Sequence, residues 1–101
     1  MALPHLQDKI VFITGAASGI GAATARAFAT QGCELVLADL DEAGLASTEL
    51  SVKKAGAKVH VMALDVTDEA QYTRLAQQRC ATVGVPHVVI NNAGIGAHGS
   101  F

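Results

Sequence analysis

Short apolar runs alternate along the chain with stretches of helical periodicity. The first run, KIVFIT, is rich in β-branched residues, which is typical of a strand buried on both faces. Three similar runs follow it, and we predict four strands, at residues 9–14, 34–39, 57–64 and 87–91. A segment long enough for a helix separates each strand from the next, so the predicted order is βαβαβαβ.

The first helix is predicted at residues 19–31. Apolar side chains recur there at helical spacing and form one stripe, made of Ile20, Ala23, Ala27 and Phe28. Gly32 stands where a helix commonly ends. We therefore expect this stripe to be the buried face of the helix.

The other two helices have predicted caps and apolar faces of their own. Asp41 can cap the second helix, which should end near Gly56. Its apolar face is predicted to contain Leu45, Thr48 and Val52. Thr67 is the predicted cap of the third helix, and Asp68 and Glu69 place negative charge in its first turn, where the helix dipole favours it. Its apolar face is predicted to contain Tyr72, Leu75, Ala76, Cys80 and Val83.

This alternation predicts a parallel sheet covered by helices. If the crossovers are right-handed and the first two helices share one face, the third strand is outermost and the fourth lies on the other side of the first. The predicted fold is an α/β Rossmann-like three-layer sandwich with strand order 3-2-1-4. Ligands bind such sheets where the winding reverses, here between the loops after Thr14 and Asn91.

The composition fits one such domain. The chain has 101 residues, 50% of them hydrophobic, and a net charge of -2. Without a basic patch, nucleic-acid binding has no electrostatic support. Cys33 and Cys80 lack metal-ligand spacing, so we expect reduced thiols and no metal.

No signal-peptide pattern is present, and no apolar run approaches the roughly 20 residues that span a bilayer. We expect a soluble, cytoplasmic protein with no membrane partner.

The loop after the first strand, TGAASGIG, is short of side chains. Gly15 can take a positive φ as the chain leaves the strand, and Gly19 and Gly21 lack Cβ atoms where the backbone meets a ligand or the sheet. The loop ends at a helix N-terminus, whose free N–H groups and dipole attract a diphosphate. A tight turn without a ligand remains an alternative, because the spacing is G-x-x-x-G-x-G instead of G-x-G-x-x-G.

Asp39, at the end of the second strand, favours the ligand-binding interpretation. Its carboxylate can accept hydrogen bonds from both hydroxyls of an adenosine ribose and would repel a 2′-phosphate. Ser18 and Leu40 are neutral and offer no cation to NADP, so NAD is the expected cofactor. Asp39 could instead cap the second helix, but Asp41 already suits that role.

Four motifs together resemble the short-chain dehydrogenase/reductase family. They are TGAASGIG, Asp39, LDVTD at residues 64–68 and NNAG at residues 91–94. They occur in the family's order and cover nearly the whole chain. The resemblance implies an oxidoreductase that transfers hydride between an alcohol or ketone and NAD, and a homo-oligomeric full-length enzyme. It implies that residues 1–101 are the NAD-binding, N-terminal portion of a longer enzyme, with a truncated sheet.

The resemblance also implies a role for each matching residue. The diphosphate would be cradled by the first loop, through Gly15, Ser18, Gly19, Ile20 and Gly21. Asp39 would hold the adenine ribose, and Asp65 and Val66 would border the adenine ring. The nicotinamide ribose would pass beside Asn92, Ala93 and Gly94. From the residues alone, Asp65 could simply end a strand, and the Asn pair could simply bond loop backbone.

The family's catalytic residues have no counterpart in this chain. The family uses a Ser, together with a Tyr that a Lys four residues later activates near neutral pH. The one tyrosine is Tyr72, and Ala76 stands where that Lys would be. Tyr72 also lies on a predicted core stripe, while His98 and Ser100 lack a third group to orient them. We assign no catalytic residue and expect the chain alone to be inactive.

Three alternatives stay open on the sequence alone. The chain could be a non-catalytic dinucleotide-binding or interaction module. It could be a truncated fragment that is unstable, because its fourth strand would be an exposed edge. It could also be an S-adenosylmethionine methyltransferase, since that class pairs a glycine-rich loop with an acidic end to the second strand. The NNAG motif and the glycine spacing argue against the methyltransferase.

Overall fold

The computed structural model describes residues 6–65 and 67–92. Within these ranges, strands and helices alternate as predicted. In chain order they are β1 (Ile10–Thr14), α1 (Gly19–Ala29), β2 (Glu34–Asp39), α2 (Glu42–Lys54), β3 (Val59–Ala63), α3 (Glu69–Thr82) and β4 (Val88–Asn91). The bounds of β2 match the prediction, and those of the other strands differ from it by a residue or two at one end or both.

The strands form one parallel sheet in the order β3-β2-β1-β4, which confirms the predicted topology. β1 lies between β2 and β4, and Phe12 is level with Val36 on one side and Val89 on the other. Thr14 and Asn91 are level at the carboxyl ends of β1 and β4, and the Thr14 hydroxyl donates a 2.7 Å hydrogen bond to Oδ1 of Asn91. The register therefore sets the loop after β1 beside the residue that follows β4.

α1 and α2 cover one face of the sheet and enclose the larger hydrophobic cluster, here called the α1/α2-side cluster. Its buried members are Val11, Ile13, Ala16, Ala25, Ala29, Cys33, Leu35, Leu37, Leu45 and Val52. The predicted face of α2 is confirmed, since Leu45, Thr48 and Val52 are its buried residues. Burial also raises the pKa of the Cys33 thiol, because the thiolate is poorly solvated there. Cys33 and Cys80 are both free thiols.

The predicted stripe of α1 is wrong. Ile20 is 67% exposed, Ala23 and Ala27 are exposed too, and of the four predicted residues only Phe28 packs against the α1/α2-side cluster. The buried residues of α1 are Gly21, Ala25 and Ala29. They recur every four positions, so they lie on one side of the helix. Their small side chains let the helix backbone approach the sheet closely, and size decides burial here more than hydrophobicity does.

Among the described elements, α3 is the one that covers the opposite face of the sheet. The α3-side cluster consists of the buried residues Phe12, Val36, Ala38, Met62 and Leu64. Three of the five residues of the predicted apolar face pack against it: Tyr72 and Leu75 in α3, and Val83 at its C-cap. The rings of Phe12 and Tyr72 lie 6.2 Å apart, centroid to centroid, which confirms that Tyr72 is a packing residue. No residue of α3, which the structure describes throughout, is itself fully buried.

The ends of α3 are fixed by side chains. Its N-cap is Asp68, whose carboxylate accepts a 3.1 Å hydrogen bond from the N–H of Gln71, so the predicted cap at Thr67 is wrong. In the last turn, the Arg79 guanidinium donates a 3.1 Å hydrogen bond to the carbonyl of Val61 on β3. Among the residues described, no helix is long and apolar enough to cross a membrane.

Candidate functional site

The three glycines of the loop after β1 have three different environments. Gly15 has a φ of 66°, so the chain leaves β1 through the left-handed region that favours glycine. A Cβ on Gly21 would lie 1.9 Å from the carbonyl oxygen of Gly15, so the first turn of α1 packs directly on the loop backbone. A Cβ on Gly19 would have nothing within 4 Å. Gly15 and Gly21 therefore shape the loop, and Gly19 leaves its outer surface open.

Ser18 closes the loop onto the helix. It is the N-cap of α1, and its Oγ accepts a 3.1 Å hydrogen bond from the N–H of Gly21. The same hydroxyl donates a 2.7 Å hydrogen bond to the carbonyl of Gly15. The Ser18 side chain thus ties the start of the loop to the first turn of α1.

Two N–H groups are left free at this helix N-terminus. Among the residues that the structure describes, the N–H groups of Gly19 and Ile20 have no hydrogen-bond partner. The first turn of α1 contains no acidic residue, so its positive dipole end is not neutralised locally. Ser18, Gly19 and Ile20 line a cavity of about 260 Å³ together with Asn92. Free N–H groups at a helix N-terminus form an anion-binding position.

Asp39 is joined to the loop by a hydrogen bond. Its Oδ2 accepts a 2.9 Å hydrogen bond from the N–H of Ala17, and its Oδ1 accepts one of 2.9 Å from the N–H of Asp41. Asp41 is the N-cap of α2, as predicted, and accepts a 3.0 Å hydrogen bond from the N–H of Gly44. Each carboxylate oxygen can accept about two hydrogen bonds, so both oxygens of the half-buried Asp39 retain capacity for a ligand hydroxyl.

Asp65 lies one strand further along the same edge of the sheet. The N–H of Leu64, just before it, donates a 3.0 Å hydrogen bond to the carbonyl of Asp39. Oδ1 of Asp65 accepts hydrogen bonds from the N–H and the hydroxyl of Thr67, at 2.9 Å and 2.5 Å. These bonds favour the charged carboxylate and lower the pKa of Asp65. Val66, predicted to border the adenine beside Asp65, lies outside the described residues.

Asn91 and Asn92 have separate environments at the end of β4. The side chain of Asn91 is held by the Thr14 hydroxyl, so it links the carboxyl ends of β4 and β1. The Nδ2 atom of Asn92 is buried and has no hydrogen-bond partner among the described residues, although Asn92 lines the cavity beside Gly19. A buried amide without a partner is costly, and a ligand in the cavity would supply an acceptor. Ala93, Gly94, His98 and Ser100, which the sequence also singled out, lie outside the described residues.

These groups fit a dinucleotide. The two free N–H groups can bind a diphosphate, and the Asp39 carboxylate can bind a ribose. The unpartnered amide of Asn92 can bind a polar group of the ligand that lies between those N–H groups and β4. The structure brings Ser18, Gly19, Ile20 and Asn92 together around one cavity. Asp39 is attached to the same loop through Ala17, whereas Asp65 is linked to it only through the neighbouring strand end.

Sequence reasoning missed one residue that contacts the loop. Thr48 was predicted only as part of the apolar face of α2, yet its hydroxyl donates a 2.9 Å hydrogen bond to the carbonyl of Ala16. A polar residue on an otherwise apolar face was the available signal, because a buried hydroxyl needs a partner.

A protein-family model described as short chain dehydrogenase matches residues 9–101. The chain is 44% identical, over 97 residues, to the probable oxidoreductase EphD of Mycobacterium tuberculosis. That alignment covers 96% of this chain and 16% of the mycobacterial protein. The chain therefore spans only a small part of the length of this relative.

Two solved structures show the same arrangement of the chain. A short-chain dehydrogenase/reductase from Burkholderia phymatum, in complex with NAD, is 40% identical with a TM-score of 0.77, over 83% of this chain and 30% of that one. L-Sorbose reductase from Gluconobacter frateurii, complexed with NADPH and L-sorbose, is 31% identical with a TM-score of 0.80, over 87% of this chain and 34% of that one. One relative is thus bound to NAD and the other to NADPH.

Proposed function

The chain belongs to the short-chain dehydrogenase family, and on that premise we propose that it is the NAD-binding portion of an oxidoreductase that transfers hydride between an alcohol or ketone and NAD. The observation that supports this most is the pair of free N–H groups of Gly19 and Ile20, which open onto a cavity shared with the orphan amide of Asn92. Bound NAD would accept or donate the hydride. The residues of this chain bind and orient the cofactor.

At the diphosphate, the proposed contacts are with backbone. The N–H groups of Gly19 and Ile20 donate to the phosphate oxygens, and the dipole of α1 favours their negative charge. Gly15 and Gly21 act indirectly, because they allow the loop and helix to pack closely enough to present those groups. Ser18 fixes the first turn by capping it. The absence of a Cβ on Gly19 lets the diphosphate approach the backbone.

At the two nucleosides, the proposed contacts are with side chains. Asp39 accepts hydrogen bonds from the adenine ribose, and Asp65 and Val66 border the adenine. Asn92, with Ala93 and Gly94, lies beside the nicotinamide ribose. The orphan Nδ2 of Asn92 supports this orientation, because it is a donor that no described residue satisfies.

We propose NAD rather than NADP as the cofactor. A 2′-phosphate on the adenine ribose would lie against the Asp39 carboxylate, and like charges at such distances repel. The next residue, Leu40, is 66% exposed and apolar, so it offers the phosphate no compensating cation. Asp41 adds a second carboxylate, which already caps α2.

We assign no catalytic residue to this chain. Its only tyrosine, Tyr72, packs against Phe12 on the α3 side of the sheet. We therefore propose that residues 1–101 supply cofactor binding and do not turn over substrate by themselves. The class of substrate, an alcohol or ketone, is proposed from the family and not from any residue of this chain.

The proposal is tested by calorimetric titration of the 101-residue chain with NAD and with NADP. We expect measurable NAD binding and weaker NADP binding. Asp39→Ala should weaken NAD binding by about tenfold or more, because hydrogen bonds to charged groups contribute about 1.5–3 kcal/mol each. Glu49→Ala is the matched control, since it removes a carboxylate that pairs with Lys53 on α2.

Each outcome of this titration is informative. If the wild-type chain binds neither dinucleotide, the proposed function is wrong. If it binds NAD but Asp39→Ala has the same affinity, the ribose role of Asp39 is wrong while the diphosphate site stands. Turnover of alcohol substrates by the isolated chain would contradict the assignment of cofactor binding alone.

A further inference from the structure

α2 contacts the glycine-rich loop at the Ala16 carbonyl, which is not among the proposed cofactor contacts. Thr48, in the middle of α2, is only 3% exposed. Its Oγ1 lies 2.9 Å from the carbonyl oxygen of Ala16 and 3.2 Å from that of Gly44. The contact with Gly44 is the usual bond of a helical Thr to the preceding turn. The contact with Ala16 joins α2 to a loop 32 residues earlier in the chain.

Thr24, another threonine within a helix, shows by contrast a hydroxyl that bonds only within its own helix. Thr24 on α1 donates a 2.8 Å hydrogen bond to the carbonyl of Ile20, within its own helix. Thr24 thus satisfies its hydroxyl locally. Thr48 approaches the carbonyl of Ala16 more closely than the one in its own helix, so its hydroxyl serves a contact between two elements.

The loop segment that Thr48 contacts is held from several directions. The N–H of Ala16 donates a 3.1 Å hydrogen bond to the carbonyl of Ala38, and the N–H of Ala17 donates one of 2.9 Å to Asp39. A Cβ on Gly44 would lie 2.8 Å from the Cβ of Ala17, so α2 also abuts the loop sterically. The end of β2 and the first half of α2 therefore fix the Ala16–Ala17 segment on both its N–H and its carbonyl side.

We propose that Thr48 is a positioning residue for dinucleotide binding that acts through Ala16 and does not touch the cofactor. Ala16 and Ala17 directly precede the cap Ser18 and the free N–H groups of Gly19 and Ile20. A carbonyl of Ala16 held by Thr48 sets the direction in which the loop enters α1, and hence the direction of those two N–H groups. This inference rests on the proposed function, because it concerns affinity at the same site.

Loss of the Thr48 hydroxyl should weaken binding because fewer molecules would have the loop in its binding-competent conformation. Ala16 is fully buried, so its carbonyl would find no water if the Thr48 hydroxyl were removed. The loop would then shift to satisfy that carbonyl, and only a fraction of molecules would present the N–H groups correctly. The apparent dissociation constant rises in inverse proportion to that fraction.

The experiment compares variants of the 101-residue chain by titration with NADH. Thr48→Val keeps the shape and removes the hydroxyl. We expect it to raise the Kd by about threefold to tenfold, the fold-change that corresponds to one net hydrogen bond. Thr48→Ser restores the hydroxyl and should recover most of the affinity. Val52→Ala, on the same face of α2, should lower stability without changing the Kd, because the Val52 side chain is apolar and makes no hydrogen bond to the loop.

The outcomes separate this inference from the proposed function. If the wild-type chain does not bind NADH, the proposed function itself fails. If the wild-type chain binds and Thr48→Val has an unchanged Kd, Thr48 has no positioning role. If Val52→Ala weakens binding as much as Thr48→Val does, the effect is general loss of stability and the inference is overturned.

A second variant covers the case in which Thr48→Val does not fold. Gly44→Ala favours the helix by intrinsic propensity but forces Ala17 or the Asp41 side chain to move, since its Cβ would lie 2.8 Å and 2.6 Å from them. We expect Gly44→Ala to raise the Kd for NADH by about threefold, as the loop is displaced without loss of any hydroxyl. An unchanged Kd in a folded Gly44→Ala variant would overturn the view that α2 positions the loop.

Discussion

The two faces of the sheet are packed differently. On one face, α1 and α2 enclose the α1/α2-side cluster, in which Val11, Ile13, Leu35 and Leu37 are all 0% exposed. On the other face, α3 is the one described helix over the α3-side cluster, and its own residues are at most half-buried. The glycine-rich loop contacts α1 and α2, so it rests on the tightly packed face.

The difference shows where the fold needs rigidity. Anion binding by two backbone N–H groups depends on their direction, and direction is held by packing and by hydrogen bonds to neighbouring elements. Ser18, the N-cap of α1, and Thr48 of α2 make such bonds with the loop backbone. Within the described residues, no hydrogen bond joins α3 to the loop. The side-chain hydrogen bonds of α3 are with Val61 in β3, with Asp65 after β3 and with its own turns. The proposed cofactor site is therefore supported by the face that is most completely buried.

The largest expected effect on the free energy of unfolding comes from replacing a leucine with alanine, and it should differ between the two faces of the sheet. Leu35→Ala, in the α1/α2-side cluster, should lower the free energy of unfolding by about 4 kcal/mol, because it removes a fully buried side chain and leaves a cavity. Leu75→Ala, in α3, should cost only about 1 kcal/mol, because its side chain is half-buried. Urea denaturation followed by circular dichroism measures both. Equal losses would show that the two faces contribute alike.

A smaller effect is expected where the loop meets α1. Gly21→Ala should lower the free energy of unfolding by about 3 kcal/mol, because its Cβ would overlap the Gly15 backbone, which cannot move aside cheaply. Gly19→Ala is the control, since its Cβ would enter open space, and its effect on stability should stay within about 0.5 kcal/mol. Urea denaturation followed by circular dichroism measures the free energy of unfolding of both variants. A tolerated Gly21→Ala would mean that the loop is held less tightly than the structure implies.

The smallest effect concerns the carboxylate of Asp65, in the loop between β3 and α3. The hydrogen bonds from Thr67 lower the pKa of Asp65 in the folded protein. Asp65 therefore contributes stability above its unfolded pKa, and this contribution is lost as the pH falls through the lower folded pKa. Thr67→Val removes the hydroxyl and should raise the pKa of Asp65 towards its ordinary value, as NMR titration of the carboxyl group would measure. No change in that pKa would contradict the stated cause.

The fold could be predicted from local patterns because its topology follows from their order. Alternating strands and helices, with right-handed crossovers, lead to the order 3-2-1-4, and the structure has that order. The stripe of α1 was mispredicted because the helix buries Gly21, Ala25 and Ala29 and exposes Ile20. Hydrophobicity cannot identify a face that is selected for small size.

The site could be predicted only as a set of separate motifs. The glycines and Asp39 could be identified by their positions relative to the strands. Their mutual contact, from the N–H of Ala17 to Asp39, spans 22 residues and depends on how β1 and β2 align. The bond of Thr48 to Ala16 depends likewise on the crossing of α2 over the loop. Such contacts between distant elements leave no periodic signal in the sequence.

The bond from Arg79 to the carbonyl of Val61 has a consequence for self-association. β3 is an outer strand of the described sheet, and an outer strand offers backbone groups to which another chain can add a strand. The Arg79 guanidinium is bound to one of these carbonyls, so an added strand cannot form a hydrogen bond there. It also places a positive charge where a second copy would have to approach. We therefore expect that replacing Arg79 with a small neutral residue leaves this edge more open to intermolecular β-pairing.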